Sequence, residues 1–314
     1  MKEYIIGKNE AGQRFDKYIF KLLKNAGTGL IFKQLRNKNI VLNGKKAKGN
    51  EILKENDSVR IFMSDDTINK FTGEPLHISK TGFRLDVIYE DDDILLASKP
   101  VGVLSQKSSD KDISMNEYLI EYLTDNGFGK ENLATFKPSF CNRLDRNTSG
   151  LMIAGKSLRG LQKMSEIIKD RSIHKFYLTI VKGKVDKKSV IKGYLRKDEK
   201  NNKVVIYDNP VKDSYEIHTE YEPLATKDDM TLLKVRLITG KTHQIRAHLA
   251  GISHPVLGDF KYGDKVFNEK YGEKKQLLHS YQVVFPKLDD FPDISEKSFN
   301  TPYPVNFTKY FKEN

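Results

Sequence analysis

Hydrophobic residues at helical spacing predict two short helices near the start of the chain. Over residues 14–24 the hydrophobic positions recur every three or four residues and therefore share one helical face. These positions are Phe15, Ile19, Leu22 and Leu23. The segment Ala26–Gly29 ends this helix, because its two glycines disfavour helical backbone. A second helix follows, with Leu30, Ile31 and Leu35 on its inner face.

A hairpin, a closing strand and a linker are predicted next. Ile40–Leu42 is an apolar run that leads into Asn43-Gly44, a dipeptide typical of a tight two-residue turn between strands. Ser58–Phe62 reads as a further strand. Residues 65–84 have few periodic apolar positions and contain two glycines and a proline, so they are predicted to be a linker.

Beyond residue 84 the pattern becomes rich in strands. Leu85–Tyr89 and Ile94–Ser98 read as two strands around the acidic turn Glu90–Asp93. Further strands are predicted at residues 176–182, 204–207 and 232–238, and helices at residues 115–126 and 160–170. Because these elements show no regular strand–helix–strand alternation, the predicted fold class is α+β.

The positive charge is concentrated near the N-terminus. Of the net charge of +12, residues 1–64 carry +8, from 14 Lys or Arg against 6 Asp or Glu. A short segment with two thirds of the excess charge favours a binding surface for an anionic partner such as nucleic acid. The alternative is a basic face that is merely solvated. The side chains concerned are Lys33, Arg36, Lys45, Lys46 and Lys48.

Several classes of protein are disfavoured. Cys141 is the single cysteine, so no intrachain disulfide can form, and no Cys/His spacing indicates a zinc site. The N-terminus lacks the apolar core of a secretory signal, and no run approaches the ~18 apolar residues of a membrane span. We therefore predict a cytoplasmic protein that does not associate with a membrane.

Asp145 is the strongest candidate for chemistry. It lies between Arg143 and Arg146 in the sequence Arg-Leu-Asp-Arg and is followed by a Thr-Ser-Gly turn. Two arginines favour an ionised carboxylate, and a loop presents it, as a nucleophile or a base requires. The alternative is that Asp145 caps a turn while the arginines bind phosphate or pair locally.

A second polar segment, residues 239–248, follows a predicted strand. If a helix begins after Gly240, Thr242 caps that helix and Ile245 faces the core. Arg246 is suited to pair with a buried carboxylate and to orient it, because a guanidinium forms directional ion pairs.

Three other features of the sequence bear on the chemistry. Tyr177, on a predicted strand, can present its ring to a nucleobase, although a core aromatic is the commoner role. His243 and His248 lack the four-residue spacing of a helical metal pair, which disfavours a metal site. Lys99–Gly102 alone indicates only a turn at the end of a strand.

Together these segments resemble the RluA-type family of RNA pseudouridine synthases. The matching motifs occur in the family's order: Glu90–Gly102, Arg143–Leu151, Lys175–Tyr177, Thr239–Asp259 and Leu277–His279. The N-terminal helices and hairpin resemble the S4 RNA-binding domain that many members carry. The resemblance implies an S4-like domain at residues 14–64, a linker at 65–84, and a catalytic domain at 85–314 with a mixed, mainly antiparallel sheet.

The resemblance also implies roles for individual residues. Asp145 would be the nucleophile, Tyr177 would stack on the target uracil, and Arg246 would pair with Asp145. Leu278, in preference to Leu277, would line the pocket. Further substrate-binding residues would be Arg143, Lys241, His243 and Gln244 near the nucleophile, and Lys33, Arg36, Lys45 and Lys46 in the S4-like domain.

Two residues depart from the family's pattern. Asn142 stands where histidine is common, and Lys241 stands where arginine is more frequent. Both keep a hydrogen-bonding or charged side chain, so activity is expected to persist. The departures leave the subfamily open.

The implied reaction converts uridine into pseudouridine without a redox change, so no cofactor and no metal are expected. The expected partner is RNA, with 23S ribosomal RNA or its precursor favoured, and the protein is expected to be a monomer. Two alternatives remain at this point: a synthase that acts on transfer RNA, and a non-catalytic RNA-binding protein of the S4 type.

Overall fold

Two separate β-sheets organise the residues that the computed structural model describes, which are 1–73, 80–129 and 133–312. The first sheet has four strands and the second has eleven. Each sheet has its own helices and its own hydrophobic core, which defines an N-terminal unit (residues 2–72) and a C-terminal unit (residues 86–312). The predicted α+β class is confirmed.

The N-terminal unit packs three helices against a four-stranded antiparallel sheet. Its elements are β1 (Lys2–Ile5), α1 (Phe15–Leu22), α2 (Thr28–Arg36), β2 (Ile40–Leu42), β3 (Lys45–Lys46), β4 (Ser58–Ile61) and α3 (Asp65–Thr72). The order across the sheet is β1-β4-β2-β3. The predicted hairpin is confirmed: Asn43 and Gly44 have positive φ angles of 51° and 71°, and β2 pairs with β3 directly.

The predicted limits of this unit are wrong at both ends. β1 pairs with β4, so the unit begins well before residue 14. Residues 65–72, predicted to be linker, form α3; the hydroxyl of Ser64 caps it, and Ile68 is fully buried in the N-terminal core. One buried side chain leaves no hydrophobic periodicity to detect. Residues 80–84 form no helix or strand, and residues 74–79 lie outside the described residues.

The C-terminal unit is built on the eleven-stranded sheet. Its strands are β5 (Asp86–Glu90), β6 (Ile94–Lys99), β7 (Ser139–Phe140), β8 (Ser149–Gly155), β9 (His174–Lys182), β10 (Ser189–Asp198), β11 (Lys203–Tyr207), β12 (Tyr215–Lys227), β13 (Met230–Leu237), β14 (Leu278–Val284) and β15 (Ser298–Asn300). Its helices are α4 (Met115–Asp125), α5 (Leu158–Lys169), α6 (Gln244–Gly251) and α7 (Lys265–Tyr271), with a 3₁₀ turn at Val305–Phe307. The predicted strands and helices of this unit are confirmed within a few residues.

The sheet order explains how distant segments meet. The main path is β11-β10-β12-β13-β9-β14-β8-β6-β5, with β15 beside β14 and β7 beside β8. Among the described pairs only β14 and β8 run parallel, as the mainly antiparallel prediction requires. β14 thus lies between β9, which carries Tyr177, and β8, which begins four residues after Asp145.

The central strands are buried on both faces. On β6, Leu95 and Ala97 face one core together with α4 and α6, whereas Ile94 and Leu96 face a second core under α5. Tyr177 belongs to the first of these cores. Helix α6, Tyr177 and the loop before β8 therefore lie on the same side of the sheet, where the cleft described next opens.

Candidate active site

A cleft of about 670 Å³ opens at the ends of β8, β9 and β13, and a smaller pocket of about 70 Å³ adjoins it. The residues that line both are Arg143, Leu144, Asp145, Tyr177, Leu237, Lys241, His243 and Arg246. Leu278, Gln244 and Thr148 line only the smaller pocket. The structure thus brings together all of the predicted site residues of the C-terminal unit.

The loop that carries Asp145 is held by hydrogen bonds at several points. Ser105 Oγ donates to the carbonyl oxygen of Leu144 at 2.8 Å and accepts from its amide at 3.0 Å. The amide of Thr148 donates to the carbonyl of Asp145 at 3.0 Å, which closes a tight turn. Because the loop is fixed, the carboxylate of Asp145 has a defined position while its side chain stays 25% exposed to the cleft.

Gly150 sets the close approach of this loop to the strand behind it. Its φ is +105°, and a Cβ at this position would lie 2.1 Å from the carbonyl oxygen of Ser280 on β14. Only glycine therefore permits the parallel pairing in which Gly150 lies opposite Ser280. This explains the Thr-Ser-Gly part of the motif and brings the Asp145 loop beside Leu278.

Arg246 is the partner of Asp145. Its Nη1 donates to Asp145 Oδ2 at 2.7 Å, while its Nε and Nη2 donate to the two oxygens of Asp259 at 2.7 and 2.9 Å. The side chain of Arg246 is 7% exposed and that of Asp259 is 1% exposed. One guanidinium thus joins a buried carboxylate to the carboxylate that faces the cleft, as predicted for Arg246.

The ion pair between Arg246 and Asp259 keeps both side chains charged although they are buried. Burial alone would lower the pKa of Arg246, but its hydrogen bonds to Asp259 and the charge of Asp145 raise the pKa above its usual value. Burial alone would raise the pKa of Asp259, but the hydrogen bonds from Arg246 lower it below its usual value. Both groups are charged at neutral pH.

The arginines that flank Asp145 in the sequence do not pair with it. Arg143 and Arg146 are exposed, and Arg146 Nε donates to the carbonyl of Gly102 at 3.0 Å. These neighbours are therefore not the partners of the carboxylate, contrary to expectation; Arg246, more than a hundred residues away in the chain, is its partner. Arg143 remains at the cleft as one of its lining residues.

The turn before α6 is organised around His243. The φ of His243 is +54°, in the left-handed region, and the residue stands at the helix N-cap position. Thr242 is therefore not the cap, contrary to expectation. His243 Nδ1 shares a hydrogen bond of 2.9 Å with the hydroxyl of Tyr262, and its Nε2 lies 4.0 Å from Asp145 Oδ1. Burial lowers the pKa of His243 despite the opposing charge of Asp145.

Gln244 supports this turn from inside. Its side-chain oxygen accepts from Thr239 Oγ1 at 2.9 Å and from the amide of Lys241 at 3.1 Å. Its nitrogen donates to His218 O and Thr219 Oγ1, both at 3.0 Å. With four bonds to protein and 2% exposure, the amide of Gln244 holds the loop, so its predicted role in contacting substrate is not supported. Ile245 is buried in the core as predicted.

Tyr177 and Leu278 form the apolar wall of the smaller pocket. Burial is the main cause that raises the pKa of Tyr177 to about 12, so the phenol is neutral at pH 7; it also forms a hydrogen bond with Ser280. Leu278 lines the pocket, whereas Leu277 packs in a different core beneath the sheet. The preference for Leu278 over Leu277 thus agrees with the geometry.

The two residues that depart from the family's pattern have defined places. The side-chain oxygen of Asn142 accepts from the amide of Ile153 at 2.8 Å, which ties the loop to β8. Lys241 places its Nζ 3.7 Å from the ring centre of Tyr215, a cation–π contact at the mouth of the cleft. The contacts of the Asp145 carboxylate are made by Arg246 and His243, and neither Asn142 nor Lys241 takes part in them.

Comparison with known proteins identifies the family. A family profile described as RNA pseudouridylate synthase matches residues 93–251, half of the chain. The chain belongs to this family. Its members are isomerases that convert uridine into pseudouridine, which favours the catalytic interpretation over a non-catalytic RNA-binding protein.

Similar proteins are found along almost the full length of this synthase. A protein of Mycoplasma genitalium named as an RNA pseudouridine synthase is 31% identical over 304 residues, which cover 94% of this chain and 93% of that protein. A protein of Pasteurella multocida named ribosomal large subunit pseudouridine synthase C is 29% identical over 295 residues, 91% of this chain and 86% of that one.

The solved structure of a human protein shares the fold of this chain. Human RNA pseudouridylate synthase domain containing 1 superposes with a TM-score of 0.57 at 21% identity, over 75% of this chain and 89% of that one. The likeness shows that the two proteins share a fold.

Three residues that the sequence did not single out complete the site. Asp259 and Tyr262 hold Arg246 and His243, and Lys99 is fully buried beneath the Asp145 loop. Lys99 Nζ donates to the carbonyls of Pro100, Val103 and Arg146 at 2.8–3.0 Å, and burial lowers its pKa to about 8. Lys99 and Asp259 lie within the quoted motifs, and that membership could have singled them out, whereas Tyr262 lies three residues beyond the last matching residue of its motif.

The four predicted basic residues of the N-terminal unit lie away from the cleft. Lys33 and Arg36 are exposed on α2, and Lys45 and Lys46 are exposed on β3. Within the described ranges none of them forms an ion pair with a carboxylate, and none lines the cleft. Their charges are therefore available to a partner.

In the part of the chain that the structure describes, no three His, Cys, Asp or Glu side chains lie close enough together to hold a metal ion. No described helix is long and apolar enough to cross a membrane.

Proposed function

We propose that this synthase isomerises uridines in large-subunit ribosomal RNA, with Asp145 as its nucleophile. The observation that carries the proposal is the 2.7 Å hydrogen bond from Arg246 Nη1 to Asp145 Oδ2 inside a cleft, with Arg246 itself fixed by Asp259. A carboxylate that is directed by an ion pair and partly exposed can attack a sugar carbon or stabilise positive charge on it.

The chemistry needs one carboxylate and no external electron donor. The N1–C1′ bond of uridine breaks and uracil keeps the electron pair. The base then turns so that C5 faces C1′, the C5–C1′ bond forms, and the proton lost from C5 is matched by protonation of N1. Asp145 either forms an ester with the sugar during this exchange or stabilises the separated sugar by its charge, and it ends unchanged in both versions.

The smaller pocket suits a uracil that has left its stack. Tyr177 offers a ring and Leu278 an apolar side chain beside Asp145, and aromatic stacking stabilises an unstacked base. Enclosure by these side chains excludes water from the C1′ centre, where hydrolysis would compete with reattachment of the base. The roles of Tyr177 as stacking residue and of Arg246 as the orienting partner of Asp145 belong to this proposal.

The choice of ribosomal RNA rests on relatives and on charge. Several relatives that match nine tenths of this chain are named large subunit pseudouridine synthases. The N-terminal unit presents Lys33, Arg36, Lys45 and Lys46 to solvent, and we assign it to RNA binding in the manner of an S4 domain. The monomeric state and the cytoplasmic location predicted from the sequence belong to the same proposal.

Pseudouridine-specific sequencing of RNA from a deletion strain tests this proposal. Loss of one or more pseudouridines in large-subunit ribosomal RNA, restored by the wild-type gene, is the expected result. Loss of pseudouridines in transfer RNA alone would make transfer RNA the substrate in place of ribosomal RNA. An unchanged pseudouridine pattern in both RNAs would overturn the proposed function.

A further inference from the structure

Lys175 is a buried cation at the cleft for which the described residues provide no partner. It is 9% exposed and lines the large cleft. Within residues 1–73, 80–129 and 133–312, no hydrogen bond, ion pair or aromatic contact engages its Nζ. Lys182, on the same strand, pairs with Asp264, and Lys99, which is fully buried, donates to three carbonyls. Buried lysines without partners are rare, because the ammonium loses hydration and gains nothing in return.

The strand geometry directs Lys175 toward the reaction centre. Lys175 and Tyr177 are two residues apart on β9, so their side chains leave the same face of the sheet. A Cβ on Gly240 would lie 3.4 Å from Lys175 Nζ, which places the ammonium against the turn that leads to Lys241 and His243. The ammonium therefore lies in the wall of the cleft that is continuous with the Asp145 pocket.

Positively charged side chains around Lys175 favour the binding of an anion at this position. Burial, and then the positive charge of Arg171, lower the pKa of Lys175. Arg143, Lys241 and Lys261 line the same cleft. A cluster of cations with one partly desolvated ammonium is stabilised when an anion enters it.

We propose that Lys175 binds a backbone phosphate of the RNA next to the target uridine, an inference that rests on the proposed function. A phosphate supplies the counterion that no described residue provides here, and Lys commonly binds phosphate as a point charge. A cleft of about 670 Å³ has room for a nucleotide segment beyond the base in the smaller pocket. Anchoring that segment positions C1′ opposite Asp145.

The test compares the full-length chain with Lys175→Met, Lys175→Arg and the control Lys227→Met. Methionine keeps the length and removes the charge; arginine keeps the charge; Lys227 is an exposed lysine outside the cleft. An unmodified transcript of large-subunit ribosomal RNA is titrated with each protein at several salt concentrations. Release of tritium from uridine labelled at C5 is followed in parallel on the same transcript.

Lys175→Met should weaken RNA binding by about 10- to 100-fold, the range for a hydrogen bond to a charged group. It should also lower the slope of log affinity against log salt by ~0.7, the value for one phosphate contact in single-stranded RNA. Lys175→Arg should restore most of both, and Lys227→Met should match the wild type. Without RNA, Lys175→Met should unfold at a higher temperature, because a partnerless buried charge has been removed.

Two results would overturn the inference. If Lys175→Met binds RNA with the affinity and the salt dependence of the wild type, the ammonium is only hydrated by water in the cleft and binds no phosphate. A lower unfolding temperature of Lys175→Met without RNA would mean that the ammonium supports the fold. Failure of the proposed function looks different: the wild-type protein itself would release no tritium from the transcript.

Discussion

Asp259 accepts hydrogen bonds from Arg246 on both of its carboxylate oxygens, at 2.7 and 2.9 Å. This two-point contact fixes the plane of the guanidinium and leaves Nη1 as the nitrogen that reaches Asp145. Asp259 is itself held by the backbone amides of Lys261 and Tyr262. The buried carboxylate thus acts on the reaction only through Arg246, as a positioning residue.

Asp259→Asn should lower kcat strongly and leave RNA affinity near the wild-type value. The amide cannot accept both hydrogen bonds from Arg246, so the guanidinium can shift, and a misplacement of ~1 Å can reduce turnover by about 10²-fold. Single-turnover kinetics and RNA binding are the measurements. Asp289→Asn is the control, since its side chain is 88% exposed and lies outside the cleft. Unchanged kcat would mean that Asp145 does not depend on this contact.

The same variant gives a pH test. The pKa of Asp259 is lower in the folded protein than in the unfolded chain, so the ionised group stabilises the fold above the unfolded value, about 3.9. That stabilisation is lost as the pH falls from there through the folded pKa. The difference in unfolding free energy between wild type and Asp259→Asn should therefore be largest near pH 7 and shrink below about pH 4. A difference independent of pH would contradict the ion pair.

Tyr177→Phe should bind RNA almost as tightly as the wild type, whereas Tyr177→Leu should bind more weakly. Phenylalanine keeps the ring, and stacking of one base on an aromatic contributes ~1–3 kcal/mol. Leucine fills most of the buried volume without a ring, which separates stacking from a packing defect. Equal affinities of the leucine and phenylalanine variants would show that Tyr177 is only a core residue.

Neutralising the basic residues of the N-terminal unit should reduce the salt dependence of RNA binding without changing kcat at saturating RNA. The variant replaces Lys33, Arg36, Lys45 and Lys46 with Gln. If each contacts a phosphate, the slope of log affinity against log salt should fall by about 3 in total, at ~0.7–0.9 per contact. The control replaces four exposed lysines of the C-terminal unit: Lys227, Lys265, Lys287 and Lys297. Equal slopes for the two variants would mean a merely solvated basic face.

Local patterns predicted the elements and singled out Asp145, but they did not predict the partners of its side chain. The Asn43-Gly44 hairpin and the strand that carries Tyr177 follow from residues adjacent in sequence, and the structure confirms them. The pairing of Asp145 depends on which strands are neighbours in the sheet, so Arg246 could be inferred only from the family resemblance. The adjacent arginines were misleading, because successive side chains in a turn leave the backbone in different directions.

Other features of the site depend on burial, which periodicity does not report. Lys99 and Lys175 look like surface lysines in the sequence, yet both are almost completely buried. Gln244 looks like a substrate contact, but its amide is used up inside the turn before α6. Helix α3 was missed because Ile68 is its single buried residue.

The most direct test of the account is the turnover of Asp145→Asn, measured as tritium release from RNA labelled at C5 of uridine. Asparagine has almost the shape of aspartate but no charge, so turnover should fall by at least ~10³-fold, the scale for loss of a residue that acts in a catalytic unit. RNA affinity should stay close to that of the wild type, and Asp228→Asn, at an exposed turn, should be fully active. Turnover of Asp145→Asn near the wild-type rate would contradict the assignment of Asp145 as the nucleophile.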